Sequence, residues 1–341
     1  MSEPKLISPM LDDFMMGDPL SEHHGVRCCP AMRKDSDSRY IVKIISVPAS
    51  QVQLEALLLT GAYSTQDAAL AYFRDMANDV TEEVEVLKKL SKFEGFLPYE
   101  NYQIVPMEDG AVGFDVYLLS PYKRTLERFL KSKPVTHLNA VNMGLDLCAS
   151  MAMCRRAGYL YVDLKPSNIF VNDKNEFCIG DLGFVRLDAL KYASLPERYR
   201  SAYTAPEIQD AMSSLNSTVD IYAIGMILYG IYNDGKLPKE NELSELAPPI
   251  YADYEMSQII LKACDPNPEQ RWQDPLQLGQ ELVAYMQRNS VNDTPIVPIP
   301  EPVVLPDPMP APVVDEAPAQ EEIPATDTAP AETQETGSAE E

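Results

Sequence analysis

The sequence predicts an α+β fold of two lobes, a small β-rich lobe followed by a larger helical lobe, ending in a disordered acidic, Pro-rich tail. Three observations carry this. Residues 1–130 concentrate β-branched runs around one helical block; residues 137–158, 219–232 and 275–288 have apolar helical patterns; and composition changes abruptly near residue 291.

The stretch RYIVKIISV (39–47) is a β-branched run and reads as a strand. NYQIVPM (101–107) and VGFDVYLL (112–119) form a second pair, with Glu108-Asp109-Gly110 as the turn between them. Between these strands, residues 51–90 have helical propensity, broken at Gly61 and Ser64. Within TEEVEVLKKL (81–90), apolar residues 84, 87 and 90 share one helical face. The preceding stretch, 50–72, reads as an added helix whose Leu54, Leu57, Leu58 and Leu59 must pack against something, most simply their own lobe. The segment 275–288 is amphipathic.

The chain has 341 residues, 45% of them hydrophobic, enough to fill a sizeable core. Its net charge of -24 argues against binding nucleic acid or anionic membranes, since like charges repel. The six cysteines form no CxxC pair and there are only three histidines, so neither a zinc site nor a disulfide framework is expected. Reduced thiols suit a cytoplasmic location. The opening MSEPKLISPMLDD lacks the apolar core of a secretory signal. The strongest apolar run, Ile221 to Tyr232, is too short to cross a bilayer, and no membrane segment is expected. Residues 291–341 hold 11 prolines, 12 acidic residues and no Lys or Arg. Such a segment cannot offset the entropy of ordering itself and reads as a solvated, extended tail, with docking to a partner as the alternative.

The densest chemistry lies in YVDLKPSNIFV (161–171) and CIGDLGFVRL (178–187). Phosphoryl transfer needs a group that orients the attacking hydroxyl and cations that hold the phosphates and their metal. An Asp, a Lys two residues on and an Asn five residues on can supply these from one tight loop. Asp163 would accept the hydroxyl proton, Lys165 would neutralise charge on the phosphoryl group, and Asn168 and Asp181 would hold Mg²⁺ bridging the phosphates of ATP.

In these stretches the sequence resembles the eukaryotic-type serine/threonine protein kinase family. The family's HRDLxxxN, DFG and APE signatures read here YVDLKPSN, Asp181-Leu182-Gly183 and Ala205-Pro206-Glu207. The resemblance implies a kinase domain over residues 15–288, with an N-lobe at 15–119 and a C-lobe at 123–288, between an N-terminal extension (1–14) and the tail. It implies that Lys43, at the end of YIVK, pairs with Glu83 to position the phosphates. It places Cys28 and Ile41 against the nucleotide, Ser120 to Tyr122 at the hinge that binds adenine through backbone groups, and Phe170 on the floor of the adenine pocket. Glu207 and Arg271 resemble a bracing ion pair, and Asp220 resembles the anchor of the catalytic-loop backbone. The DLKPxN form implies serine or threonine hydroxyls of protein substrates.

The pattern departs in several places. Aligned on Cys28, SEHHGVRC (21–28) puts Ser21, His23 and Val26 where the family has glycines that let backbone approach phosphate. Val162 stands for the Arg of HRD, so a phosphate on the activation segment would lack its usual partner, which implies activity without such phosphorylation. Lys43 and Glu83 are 40 residues apart, a wider gap than the family's usual one. Two alternatives therefore stand beside a protein kinase: a pseudokinase serving as a nucleotide-binding or scaffold module, and a kinase-like enzyme acting on a small molecule.

Overall fold

The computed structural model describes residues 9–108, 110–172, 174–187, 200–209, 215–239 and 242–297. The small lobe is an antiparallel sheet of six strands: β1 (Phe14–Met16), β2 (Ser21–His23), β3 (Val26–Arg33), β4 (Arg39–Val47), β5 (Asn101–Pro106) and β6 (Phe114–Pro121). The spatial order is β1-β3-β4-β6-β5, with β2 paired to β3. The strand expected at 39–47 is present over those residues; the one expected at 112–119 begins two residues later and runs on to Pro121.

Alternation along β4 explains the two faces of the sheet. Tyr40, Val42 and Ile44 point into a small outer core with Leu11, Phe14, Cys29, Tyr117 and Leu119. Ile45 and Val47 point the other way, into the main core, and Ile41 and Lys43 share that face by strand period. Leu11 and Phe14 are buried there, so the end of the segment read as an N-terminal extension belongs to this lobe; residues 1–8 lie outside the described residues.

Between β4 and β5 run α1 (Gln51–Leu59) and α2 (Gln66–Leu90). The break falls where Gly61 and Ser64 placed it, and Thr65 caps α2 by accepting from the Ala68 amide. Ala69, Phe73, Ala77, Val80, Val84, Leu87 and Leu90 recur at spacings of three and four and bury one continuous stripe. The added helix does lie on its own lobe: Leu54 is buried, Leu57 and Leu58 pack on the main core, and Leu59 faces solvent. Tyr63 stacks on Tyr72 at 5.2 Å across the joint.

The second lobe contains β7 (Arg124–Thr125), α3 (Leu126–Ser132), α4 (His137–Arg156), β8 (Tyr159–Tyr161), β9 (Ile169–Val171), β10 (Phe177–Ile179), β11 (Phe184–Arg186), α5 (Thr218–Ile231), α6 (Tyr254–Ala263) and α7 (Pro275–Asn289). Every residue of α5 is buried, as its unbroken apolar run required, and it forms the axis of the lobe. No helix among the described residues is long and apolar enough to cross a membrane. Helices α3 and α6, not read from the sequence, are short and depend on their caps, Thr125 and Asp253.

The segment read as tail begins later than expected. The Leu138 amide donates to Asn292, that of His137 to Thr294, and that of Ile296 to Val135, all on main-chain oxygens. The Thr136 hydroxyl bonds Asp293 at 3.0 Å, and Ile296 is only 6% exposed. A chain ending at Ser290 should therefore lose about 2 kcal/mol or more relative to one ending at Val297, from the buried Ile296 alone. Thermal unfolding of the two truncations should show a melting temperature several degrees lower for the shorter one.

Candidate active site

The cleft between the lobes is built from β2, β3 and β4 above and from the turns flanking β8 to β11 below. The β2–β3 hairpin closes on the pair His23–Val26, with His24 (φ 50°) and Gly25 (φ 76°) as its two turn residues. Positive φ at both positions is what a tight two-residue hairpin demands. Gly25 is needed for a second reason: a Cβ there would lie 2.6 Å from Ala49 Cα. Its carbonyl accepts from the Ser46 amide, which fastens the hairpin tip to the end of β4. Ser21, His23 and Val26 thus sit in a paired ladder, not in a loose glycine loop.

Cys28 lies opposite Lys43 in the β3–β4 ladder, and Ile41 lies opposite Pro30 and Ser120 on its two neighbouring strands. At the crossing between the lobes, the Tyr122 amide donates to the Arg39 carbonyl at 2.9 Å. Phe170 is on β9, and its ring fills the space a Cβ on Gly180 would need, 2.7 Å away.

Below the sheet, Asp163 is nearly buried and heavily bonded. Its carboxylate accepts from Lys165 Nζ at 2.8 Å on each oxygen. Asn168, delivered by a 3₁₀ turn at Pro166–Asn168, donates its Nδ2 to the Asp163 carbonyl (2.9 Å) and to Oδ2 (2.8 Å). Burial pushes the Asp163 carboxyl up from its ordinary range, against the pull of Lys165 and Asn168. Asp181 is held close to this loop by the backbone. The Gly180 amide donates to Asn168 and the Val162 amide to Gly183, both on main-chain oxygens. Gly183 (φ 151°) has its missing Cβ 3.0 Å from Asp163 Cβ, so glycine serves both conformation and approach here.

Lys43 makes its contact with Asp181. Its Nζ bonds both carboxylate oxygens, at 2.5 and 2.6 Å. This differs from the expected Lys43–Glu83 pair. The Glu83 carboxylate instead accepts from the amides of Gly183 (2.9 Å) and Phe184 (3.2 Å), so α2 grips the same turn through backbone donors. Asp181 also accepts from its neighbour's amide, Leu182, at 2.8 Å, and from the Tyr99 hydroxyl at 2.8 Å. Burial raises the Asp181 carboxyl, but Lys43 and these donors outweigh it and hold the group below the usual carboxylate range. Burial lowers Lys43 and Asp181 more than restores it, leaving its ammonium raised. Tyr99, buried beside an anion, is raised well above the ordinary phenol range. No motif marked Tyr99; a lone buried tyrosine just ahead of β5 was the only available signal.

Deeper bracing follows the expected pattern. Arg271 bonds Glu207 with both guanidinium nitrogens, at 2.6 and 2.9 Å, and is itself fully buried. Asp220 receives the Tyr161 amide at 3.5 Å, while the Tyr161 hydroxyl donates to Gly180 at 2.7 Å. Val162 is buried. Of the activation-segment hydroxyls, Ser201, Tyr203 and Thr204 are described; Tyr192, Ser194 and Tyr199 lie outside the described residues.

The donor set fits Mg²⁺ and ATP. An ionised Asp181, the side-chain oxygen of Asn168 and two lysines offer hard oxygen ligands and phosphate cations. Among the described residues there is no cluster of three or more His, Cys, Asp or Glu that could hold a metal ion.

A β-rich lobe over a helical one, with an Asp–Lys–Asn loop and a second Asp facing a strand lysine, defines the protein-kinase-like class of folds. The family model described as protein kinase domain matches residues 72–291, and the chain belongs to that family. It is similar to mitogen-activated protein kinase HOG1 of Candida albicans, 30% identical over 155 residues, or 45% of this chain and 38% of that protein. It is also similar to mitogen-activated protein kinase mpkC of Aspergillus terreus, 32% identical over 155 residues, 45% of this chain and 39% of that one. A third relative is the probable CTD kinase subunit alpha homolog of Encephalitozoon cuniculi, 31% identical over 121 residues, 35% and 37% of the two chains. The matched stretch spans about two fifths of the length of these relatives.

Replacing Tyr99 by Phe removes one hydrogen bond to an ionised carboxylate and leaves no hole. Asp181 keeps Lys43 and the Leu182 amide, so the expected loss is near the lower end for such a bond, about 1.5 kcal/mol. Denaturant unfolding should show it as a shifted midpoint at unchanged slope.

Proposed function

We propose that this protein transfers the γ-phosphoryl group of Mg-ATP to serine and threonine hydroxyls of protein substrates. The observation that carries the reading is the Asp163 carboxylate, held in one loop by Lys165 and Asn168 and kept close to Asp181 by paired backbone bonds. Bound Mg-ATP supplies the transferable group and a counter-charge for it. Lys43 and Lys165 bind phosphate oxygens, and Asp181 and Asn168 hold the metal. Cys28, Ile41 and Phe170 enclose the base, with main-chain groups of Ser120 to Tyr122 beside it, and Glu83 steadies the Asp181 turn. Asp163 Oδ accepts the proton of the incoming hydroxyl; its raised basicity, a product of burial, favours that task. The net charge of -24 favours substrates with basic segments. The cytoplasm is the proposed location, and the six free cysteines suit a reducing compartment.

One observation favours the pseudokinase reading: Lys43 already occupies both oxygens of Asp181. Incubation with radiolabelled Mg-ATP and a generic basic protein separates the two readings, because only the kinase labels the protein.

Asp163→Asn should lower the transfer rate by about 10²–10⁴ while the Mg-ATP thermal shift stays near that of the unchanged protein. A variant with full activity would end the assignment. The rate should also fall as pH drops, because the base works only when ionised. Since burial raises the Asp163 carboxyl, the acid limb of kcat should lie above the free aspartate value of about 3.9, measurable as initial rates across an acidic pH series.

A further inference from the structure

The helical lobe contains a cavity of about 630 Å³ whose floor includes Lys165, Pro166 and Ser167 of the catalytic loop. It opens beside α3 and the end of α5. Leu130, Val135, Ile227 and Ile231 give it an apolar lining. Three lysines, Lys131, Lys133 and Lys165, face it against two carboxylates, Glu127 and Asp234. Glu127 is already paired with Lys131 at 2.8 Å, and Asp234 with Lys236 at 3.2 Å.

The chain itself leads into this cavity. Ile296 and Val297 are part of its wall. Residues 292–296 run antiparallel to 135–138, as the bonds from Leu138 to Asn292 and from Ile296 to Val135 show. A chain continued in that sense would pass Lys133 and Lys131 at the cavity mouth. The 44 residues that follow Val297 open with Pro298-Ile299-Pro300-Glu301-Pro302-Val303-Val304-Leu305. Proline at alternate positions favours an extended backbone without ladder partners, and the apolar side chains match the lining. Seven residues in that conformation reach about 20 Å, at roughly 3.1 Å each. The segment after Val297 contains acidic residues and no Lys or Arg; of the wall lysines, Lys131 is held by Glu127 and Lys165 by Asp163, so the charge complement rests on Lys133.

We propose that residues 298–310 of this same chain lie in the cavity beside the catalytic loop and cover the ground a protein substrate must reach. The docking stands on the geometry of the cavity and of the chain's exit; its effect on phosphotransfer rests on the kinase reading above.

The test uses the full chain with p-benzoylphenylalanine in place of Val304, irradiated and mapped by mass spectrometry. Cross-links should form within one monomer, to peptides covering residues 127–135 or 227–235. Lys131→Glu with Lys133→Glu in that chain should cut their yield severalfold. Cross-links that are absent, map elsewhere, or join only two chains would overturn the docking, the last pointing to a second copy as occupant. In parallel, full chains carrying Val303→Asp, Val304→Asp and Leu305→Asp together should phosphorylate a basic protein with a KM lowered severalfold at similar kcat. An active enzyme with unchanged KM would overturn the covering role. A chain inactive with and without these changes would count against the kinase reading, and the cross-link map would still decide the docking.

Discussion

The cleft depends on the ion pair between Lys43 and Asp181. It is the point where a strand of the small lobe is tied to the turn that carries the second carboxylate, with both oxygens engaged. Everything near it serves to hold the same turn. Tyr99 and the Leu182 amide complete the coordination of Asp181, and Glu83 takes the next two amides. Removing two opposite charges from water is costly unless their remaining sites are bonded. Here Asp181 takes two further donors, Tyr99 and the Leu182 amide, which explains why so much hydrogen bonding converges on one short turn.

Such a pair also sets the terms for any nucleotide. Lys43 and Asp181 neutralise each other, and any phosphate or metal bound there would have to compete for them. If the closed arrangement held 99% of molecules, apparent affinity would drop about a hundredfold, since binding is reduced by the competent fraction. The fastened hairpin adds to this. Its strands are paired in a ladder and the Gly25 carbonyl is taken by the Ser46 amide of β4, so less backbone is free to wrap an anion than in a loop of glycines.

Much of this was legible from residues that act as neighbours in sequence. The Asp163–Lys165–Asn168 loop could be read because the chemistry requires those types within one turn, and β4 because alternation needs no partner to be seen. Helices α1 and α2 were legible from the Gly61 and Ser64 break and one apolar stripe. What could not be read was set by distant packing. Which carboxylate Lys43 meets depends on how α2 and the Asp181 turn seat against the sheet, and Glu83 lost that role to Asp181. Tyr99 finds Asp181 across 82 positions of sequence, with no local pattern to announce it. Residues 292–296 looked like tail because their composition is tail-like; only the edge offered by 135–138 gives them a place.

That attachment has a consequence in concentration. Because Val297 is fixed on the cavity wall, the residues joined to it cannot diffuse away. A ligand tethered through a short linker is presented at an effective concentration in the millimolar range. A free protein with the same intrinsic affinity for the cavity, present at micromolar levels, would be outnumbered about a thousandfold by the neighbour on the same chain.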